Sequence, residues 1–404
     1  MIKKIAVEQL QPGMYIHDMN CGWMSHPFIM SQFLVEDDRV ASKLTDWGIR
    51  EVYIDTEKGD DIHGAQSEAD VDEEIHQKVV AAATSVEPLQ AQVPLKYEMA
   101  KARKIHAEAA HLIHSIMTDV RLGKQVEMER VEPMVERIAE SILRNRDALI
   151  ILGRIKRKDQ YTFHHSVSVC ALMTAFMKSL NLEADMIKQA GIGGLLHDIG
   201  KTQIPESILN KPGRLTGEEF EIMKGHVPLG VQILEEAGGV SATATQVAAQ
   251  HHERYDGSGY PARLKGDGLS MLGQLASIVD VYDAMTSDRV YHDRIEPATA
   301  LRKIFEWSEY YFNRELVEHF IRIIGIYPVG TMVALHSGLV GVIVEQGKTD
   351  LLKPVVCVVY DKKWGTKAGP IRVDLANPKA GTEPDRIDGT ESAQKWGVDP
   401  LRYI

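Results

Sequence analysis

The chain has 404 residues, 44% of them hydrophobic, with 46 Lys and Arg against 57 Asp and Glu for a formal charge of −11. At about 100–200 residues per domain there is room for two to four domains, and the apolar fraction supports a sizeable core and excludes wholesale disorder. The acidic balance argues against a chain devoted to wrapping DNA or docking on anionic lipid, which need a broad basic surface, and leaves a small anionic substrate open.

Residues 1–60 read as a small α/β unit: β-like IKKIAV, a turn at Pro12-Gly13, extended MYIHDM, an amphipathic stretch over Glu36–Trp47 and a strand at Glu51–Asp55. Residues 61–95 read as an acidic flexible linker, because Thr56–His76 holds eight acids against the single base Lys58. Residues 96–329 read as a helical unit. Its first helix follows from Ile105, Ala109, Leu112, Ile116 and Val120 at steps of three and four, and a second spans about Val131–Leu149. His106, His111 and His114 on the first helix have no regularly spaced acidic partners and read as exposed or interfacial, not as ligands. Residues 330–376 switch to strands (TMVAL, LVGVIVEQ, PVVCVVYD) and form a small β extension, and 377–404 read as a polar, poorly ordered tail. Cys21, Cys170 and Cys357 are odd in number and form no CxxC pair, which excludes a disulfide scaffold or thiolate zinc site and fits a reducing compartment. Met1–Ile16 lacks the apolar stretch of a signal peptide, and no run approaches about 18 apolar residues. A cytoplasmic chain without membrane insertion is expected.

The chemistry concentrates in the helical unit. His165, His197-Asp198, His226, His251-His252 and Asp280 follow one another at intervals of 25–32 residues. Each interval suits one helix and its turn, so one metal-competent group arrives per helix in a bundle interior. His197-Asp198 ends the apolar run AGIGGLL, and Asp280 lies between Val279 and Val281; such buried polar groups are costly without partners. Imidazole and carboxylate without thiolate suit Fe, Mn or Zn better than a Mg or Ca cage. Seven groups exceed the three protein ligands of a typical mononuclear catalytic site. Two ions bridged by a carboxylate such as Asp198 would activate a shared water for in-line phosphoryl displacement. No Gly-rich phosphate loop is present.

From about residue 140 to 330 the chain resembles the HD-GYP branch of the HD superfamily, which hydrolyses the bacterial second messenger cyclic di-GMP. The resemblance rests on His197-Asp198-Ile199-Gly200-Lys201, on His251-His252-Glu253 followed by Gly257-Ser258-Gly259-Tyr260-Pro261, and on the spaced His165, His226 and Asp280. It implies a mainly α, HD-type helical bundle with a dinuclear metal centre, behind a small N-terminal domain often found before such modules. His165, His197, Asp198 and Asp280 would then serve one metal, and Asp198, His226, His251 and His252 the other. Lys201 would hold a non-bridging phosphate oxygen where negative charge grows, Arg289 would clamp phosphate, and Asp283 would orient a metal ligand or a water. His292 stands where some members carry a basic residue. Tyr260 and Pro261 belong to a turn that the family places at the site rim, where it meets substrate or GGDEF-type diguanylate cyclases. Trinuclear members carry Glu four residues before the first His; the Tyr161 found here is a poor ligand at neutral pH, since it must lose a proton of pKa about 10. Two divalent metals, Fe or Mn with Zn also suited, are therefore expected.

The expected activity is hydrolysis of cyclic di-GMP to pGpG, with onward hydrolysis to GMP open. The alternatives are an HD hydrolase of another nucleotide such as (p)ppGpp and a catalytically silent cyclic di-GMP receptor or scaffold. The Tyr97–Arg121 stripe leaves a homodimer open.

Overall fold

Alternation in the first strands sets the architecture of the N-terminal sheet. The strands β1 (Ile2–Ala6), β2 (Tyr15–Asp18), β3 (Phe33–Leu34), β4 (Glu51–Asp55) and β5 (Gln66–Ser67) form an antiparallel sheet in the order β3-β2-β4-β1-β5. The register of β1 on β4 runs from Ile2 opposite Asp55 to Ala6 opposite Glu51. Successive strand residues face opposite sides. Val52 and Ile54 join Ile5, Ile16 and Leu44 of helix α1 (Arg39–Asp46) in a core of the domain's own. Tyr53, between them, is buried on the other face, against the helical unit. The computed structural model describes residues 1–22, 32–84, 91–154, 161–287, 295–347, 350–378 and 383–404.

The flexible linker expected at 61–95 is corrected over much of its length. β5 and α2 (Glu68–Thr84) occupy it, and Val71, Ile75, Val79 and Ala83 are buried in the main core. These four recur every fourth residue, so they share one helical face while the acids occupy the solvated side.

The helical unit begins with α3 (Leu95–Arg121) and α4 (Met128–Gly153), packed as a hairpin. α4 breaks at Asn145, and the break frees the Arg144 carbonyl to accept the amides of Gln92 (3.0 Å) and Val93 (3.1 Å). Next come α5 (Tyr161–Ser179), α6 (Ala184–Leu196), α7 (Glu206–Leu209), α8 (Gly217–Lys224), α9 (His226–Ala237), α10 (Ala242–Gln250) and α11 (Met271–Thr286). α5, α6, α10 and α11 pack on one another, and the short 3-10 turn Ile199–Gln203 after α6 lies on α9. α12 (Pro297–Trp307) and α13 (Arg314–Ile324) close the unit against α2. Among the described residues no helix is long and apolar enough to cross a membrane.

The C-terminal sheet has the order β10-β6-β7-β8-β9, from β6 (Met332–Leu335), β7 (Leu339–Glu345), β8 (Val355–Asp361), β9 (Thr366–Asp374) and β10 (Ile387–Glu391). The expected poorly ordered tail at 377–404 is thus corrected: β10 pairs with β6, and α14 (Ala393–Trp396) packs Trp396 on Tyr360 at a ring separation of 4.5 Å.

Candidate metal centre

The helical spacing delivers its polar residues to one point. His165 comes from the first turns of α5, and His197 and Asp198 from the end of α6. His226 opens α9, His251 and His252 follow α10, and Asp280 lies in mid α11. All seven are buried. Gly200 lets the turn after α6 approach α9, because a Cβ there would collide with the His226 carbonyl and the Gly230 amide.

The donors form three groups, each within 4.8 Å: His165, His197 and Asp280; His226, His251 and His252; and His197, Asp198 and His251. Asp198 lies between the first two and turns one oxygen to each. Its Oδ2 is 3.3 Å from His197 Nε2 and 3.8 Å from His165 Nε2, while Oδ1 is 3.5 Å from His226 Nε2 and 3.9 Å from His251 Nε2. Asp280 Oδ1 is 3.0 Å from His165 Nε2, and its Oδ2 is 3.7 Å from His252 Nδ1.

Partners behind the rings fix which nitrogen points inward. His197, His226 and His251 each present Nδ1 to a carbonyl three residues earlier, at 2.8, 2.6 and 2.7 Å, so Nδ1–H donates and Nε2 keeps its lone pair facing the centre. His165 Nδ1 meets Asp283 Oδ2 at 2.6 Å, the carboxylate–imidazole pairing that orients metal-binding histidines. Burial, then the neighbouring Lys201, lowers His226 to about 4. Burial and adjacent imidazoles hold His251 and His252 well below the usual histidine range. Burial acts downward on His197 too, but Asp198 and Asp280 hold it above its ordinary value. Burial would raise Asp198 and Asp280, yet His197 and Lys201 beside the first, and His165 and His252 beside the second, keep both well below the carboxylate range.

His197 Nε2, Asp198 Oδ1 and Asp280 Oδ2 are buried without a hydrogen-bond partner. Polar atoms so placed are rare unless an ion or water completes them, so the residues present fit a divalent metal centre. Lys201 Nζ lies 2.6 Å from Asp198 Oδ2. Tyr260 and Pro261 line the adjoining cleft, with the Tyr260 ring 4.7 Å from that of His252. Arg289 and His292 lie outside the described residues, as does the side chain of Tyr161. His106, read as exposed or interfacial, is buried and stacks on His164 at 5.0 Å; His111 and His114 are exposed.

One residue of the motif acts in a way its position in the sequence does not reveal. The fully buried Glu253 accepts from the amides of Ala262 (2.7 Å), Arg263 (3.1 Å) and Leu264 (3.0 Å). It thereby ties the 257–261 loop to the end of α10.

A helical bundle that closes on a buried His/Asp cluster of this order defines an HD-type phosphohydrolase. Residues 147–316 match the HD domain family, and residues 2–131 match a domain of unknown function, DUF3391. The chain is 38% identical to a cyclic di-GMP phosphodiesterase of Pseudomonas aeruginosa, over 99% of this chain and 95% of that one. It is 35% identical to a cyclic di-GMP phosphodiesterase of Thermotoga maritima over 44% of this chain and 49% of the relative. It is 43% identical to 3'3'-cGAMP-specific phosphodiesterase 2 of Vibrio cholerae over 34% and 26% respectively. The chain belongs to the family of HD-domain cyclic di-GMP phosphodiesterases.

Proposed function

We propose that the protein hydrolyses cyclic di-GMP to linear pGpG at a dinuclear centre of divalent metals, Fe or Mn. The observation that carries this reading is Asp198, whose two oxygens face separate donor trios. His165, His197 and Asp280 would hold one ion, His226, His251 and His252 the other, and Asp198 would bridge them. Two ions so held would supply a lowered pKa for a shared water and charge stabilisation for an in-line phosphoryl displacement. Around them the chain's own groups act as follows. His226, His251 and His252, which burial holds below the usual histidine range, offer lone pairs without first losing a proton. Asp283 holds His165 in the tautomer with Nε2 inward. Lys201 stands beside Asp198 with an ammonium for a non-bridging phosphate oxygen as charge builds. Residues 96–329 form the catalytic unit in this reading.

The similarity to a 3'3'-cGAMP-specific enzyme supports one second reading, a different cyclic dinucleotide as substrate. Anaerobic purification, metal analysis and side-by-side turnover of cyclic di-GMP, 3'3'-cGAMP and ppGpp test both. Two ions per chain and fastest release of pGpG from cyclic di-GMP are expected. A metal-loaded enzyme that leaves cyclic di-GMP intact rules the first reading out.

A further inference from the structure

We propose that the N-terminal domain is one wall of the substrate cleft, where Trp47 and Arg50 bind the nucleotide half of the substrate remote from the cleaved phosphodiester. The inference rests on the cyclic dinucleotide reading above. A cleft of about 830 Å³ opens beside His252, within the range of small-molecule sites. Its lining combines Phe220 and Lys224 of α8, Arg254 and the 256–261 loop, and Thr45–Arg50 of the N-terminal domain. The catalytic side already carries an aromatic and cationic surface: Lys224 Nζ lies 5.5 Å from the Tyr260 ring centre, and Tyr260 lies on His252. The N-terminal side offers the matching chemistry in the half-buried Trp47 indole and the Arg50 guanidinium. Arg50 is 42% exposed, and its Nε is 3.9 Å from Asp256 Oδ2, too far for a hydrogen bond. An indole stacks on a nucleobase whatever its identity, and a guanidinium pairs with phosphate oxygens. A nucleobase and a phosphate are both among the groups that the second nucleotide adds to a simple phosphodiester.

The position of this wall is built in by direct contact. Gly48, at φ +78°, lies so close to Ser258 that a Cβ would collide with the serine side chain. The Tyr311 hydroxyl donates to the Gly48 carbonyl at 3.0 Å. Behind it Glu306 of α12 accepts from Asn20 (2.9 Å) and Tyr53 (2.8 Å) and pairs with Lys4 (2.9 Å). The wall therefore has a fixed distance to the metal centre, as a specificity surface requires.

The test uses the full-length, metal-loaded protein and two substrates: cyclic di-GMP, and bis(p-nitrophenyl) phosphate, which has one phosphodiester and no second nucleotide. Trp47→Ala and Arg50→Ala are expected to raise KM for cyclic di-GMP about ten-fold with kcat within about two-fold, as loss of uniform binding does. The kcat/KM for bis(p-nitrophenyl) phosphate should shift by no more than about two-fold, and Trp47→Phe should recover most of the affinity. An unchanged KM for cyclic di-GMP, or equal losses on both substrates, overturns the proposal. Calorimetric binding of cyclic di-GMP separates this from the parent reading. Wild type that binds but does not cleave, with binding weakened in the variants, removes the hydrolase and keeps the wall; wild type that does not bind overturns both.

Discussion

Asp283 illustrates how much of the centre depends on a group that faces away from it. Its carboxylate meets His165 Nδ1 at 2.6 Å, and both side chains are buried. The pair fixes the ring's rotation and leaves Nε2 directed at Asp280 and Asp198. Asp283→Asn keeps the volume but removes the charge that makes the imidazole a strong donor, and is expected to lower metal affinity or turnover by about 10- to 100-fold. Metal stoichiometry under limiting supply, read beside kcat and KM, checks this: retained stoichiometry with unchanged kcat would refute it. Of the candidate donors, His197-Asp198, His251-His252 and Asp280 were legible as titratable groups that end or interrupt apolar runs, His165 and His226 by their spacing from these, and Asp283 by lying one helical turn beyond Asp280. Glu253 was visible only as part of a motif. Its work is done on the backbone amides of residues 262–264, and amides leave no mark in a side-chain pattern. Arg50 and Gly48 lie some two hundred residues from the loop they face, a proximity that only the tertiary fold creates.

Among the helices, the α3–α4 hairpin carries a pH-sensitive joint. Glu98 of α3 is buried and accepts from Ser141 (2.8 Å) and from Arg144 Nε (2.8 Å) and Nη2 (2.9 Å) of α4. Burial works to raise its carboxyl, but Arg144 and Ser141 hold it below its ordinary 4.5. A carboxyl held lower in the folded than in the unfolded chain binds fewer protons when folded. Its contribution to stability is therefore complete above the unfolded value and drains away as pH falls through the lower, folded one. Glu98→Gln is expected to melt below wild type at pH 7, and the gap should narrow once pH drops under about 4.5. Thermal melts of the two proteins from pH 7 to pH 3.5 measure it, and a gap constant across that range would contradict the assignment. Other elements differed from their sequence reading for identifiable reasons. The α2 acids masked a periodic face, since Val71, Ile75, Val79 and Ala83 share the helix with five acids, Glu68, Asp70, Asp72, Glu73 and Glu74, whose solvated side dominated the composition. β10 is a polar edge strand, Ile387–Glu391, whose only signal is the partner β6 more than fifty residues earlier. The strands of residues 331–361 were legible because they are buried, β-branched runs.

Across the whole molecule, the interface between the N-terminal sheet and α12 links domain docking to the shape of the cleft. Glu306 gathers Asn20, Tyr53 and Lys4, Trp307 Nε1 donates to Asn20 at 2.9 Å, and Lys303 pairs with Asp18 at 2.9 Å. Glu306 and Lys4 are 8% and 11% exposed, so their pairing is little screened by solvent. Glu306→Ala would strand the Tyr53 hydroxyl and the Asn20 amide, while Lys4 keeps Glu51 at 2.7 Å. Breaking a buried pair from one side costs about 3–5 kcal/mol, and the retained Glu51 contact places this case at the low end. The expected result is earlier tryptic cleavage at the exposed Lys58, as the domain loosens from α12, and a lower melting temperature. Glu306→Gln, which keeps an acceptor for Tyr53, should fall between the two. Because the same domain carries Trp47 and Arg50, the Ala variant is also expected to raise KM for cyclic di-GMP more than it lowers kcat. If cleavage at Lys58 and the melt match wild type, the network does not hold the domain. If the domain loosens and KM stays fixed, docking and the cleft are independent, and the wall does not depend on this anchor.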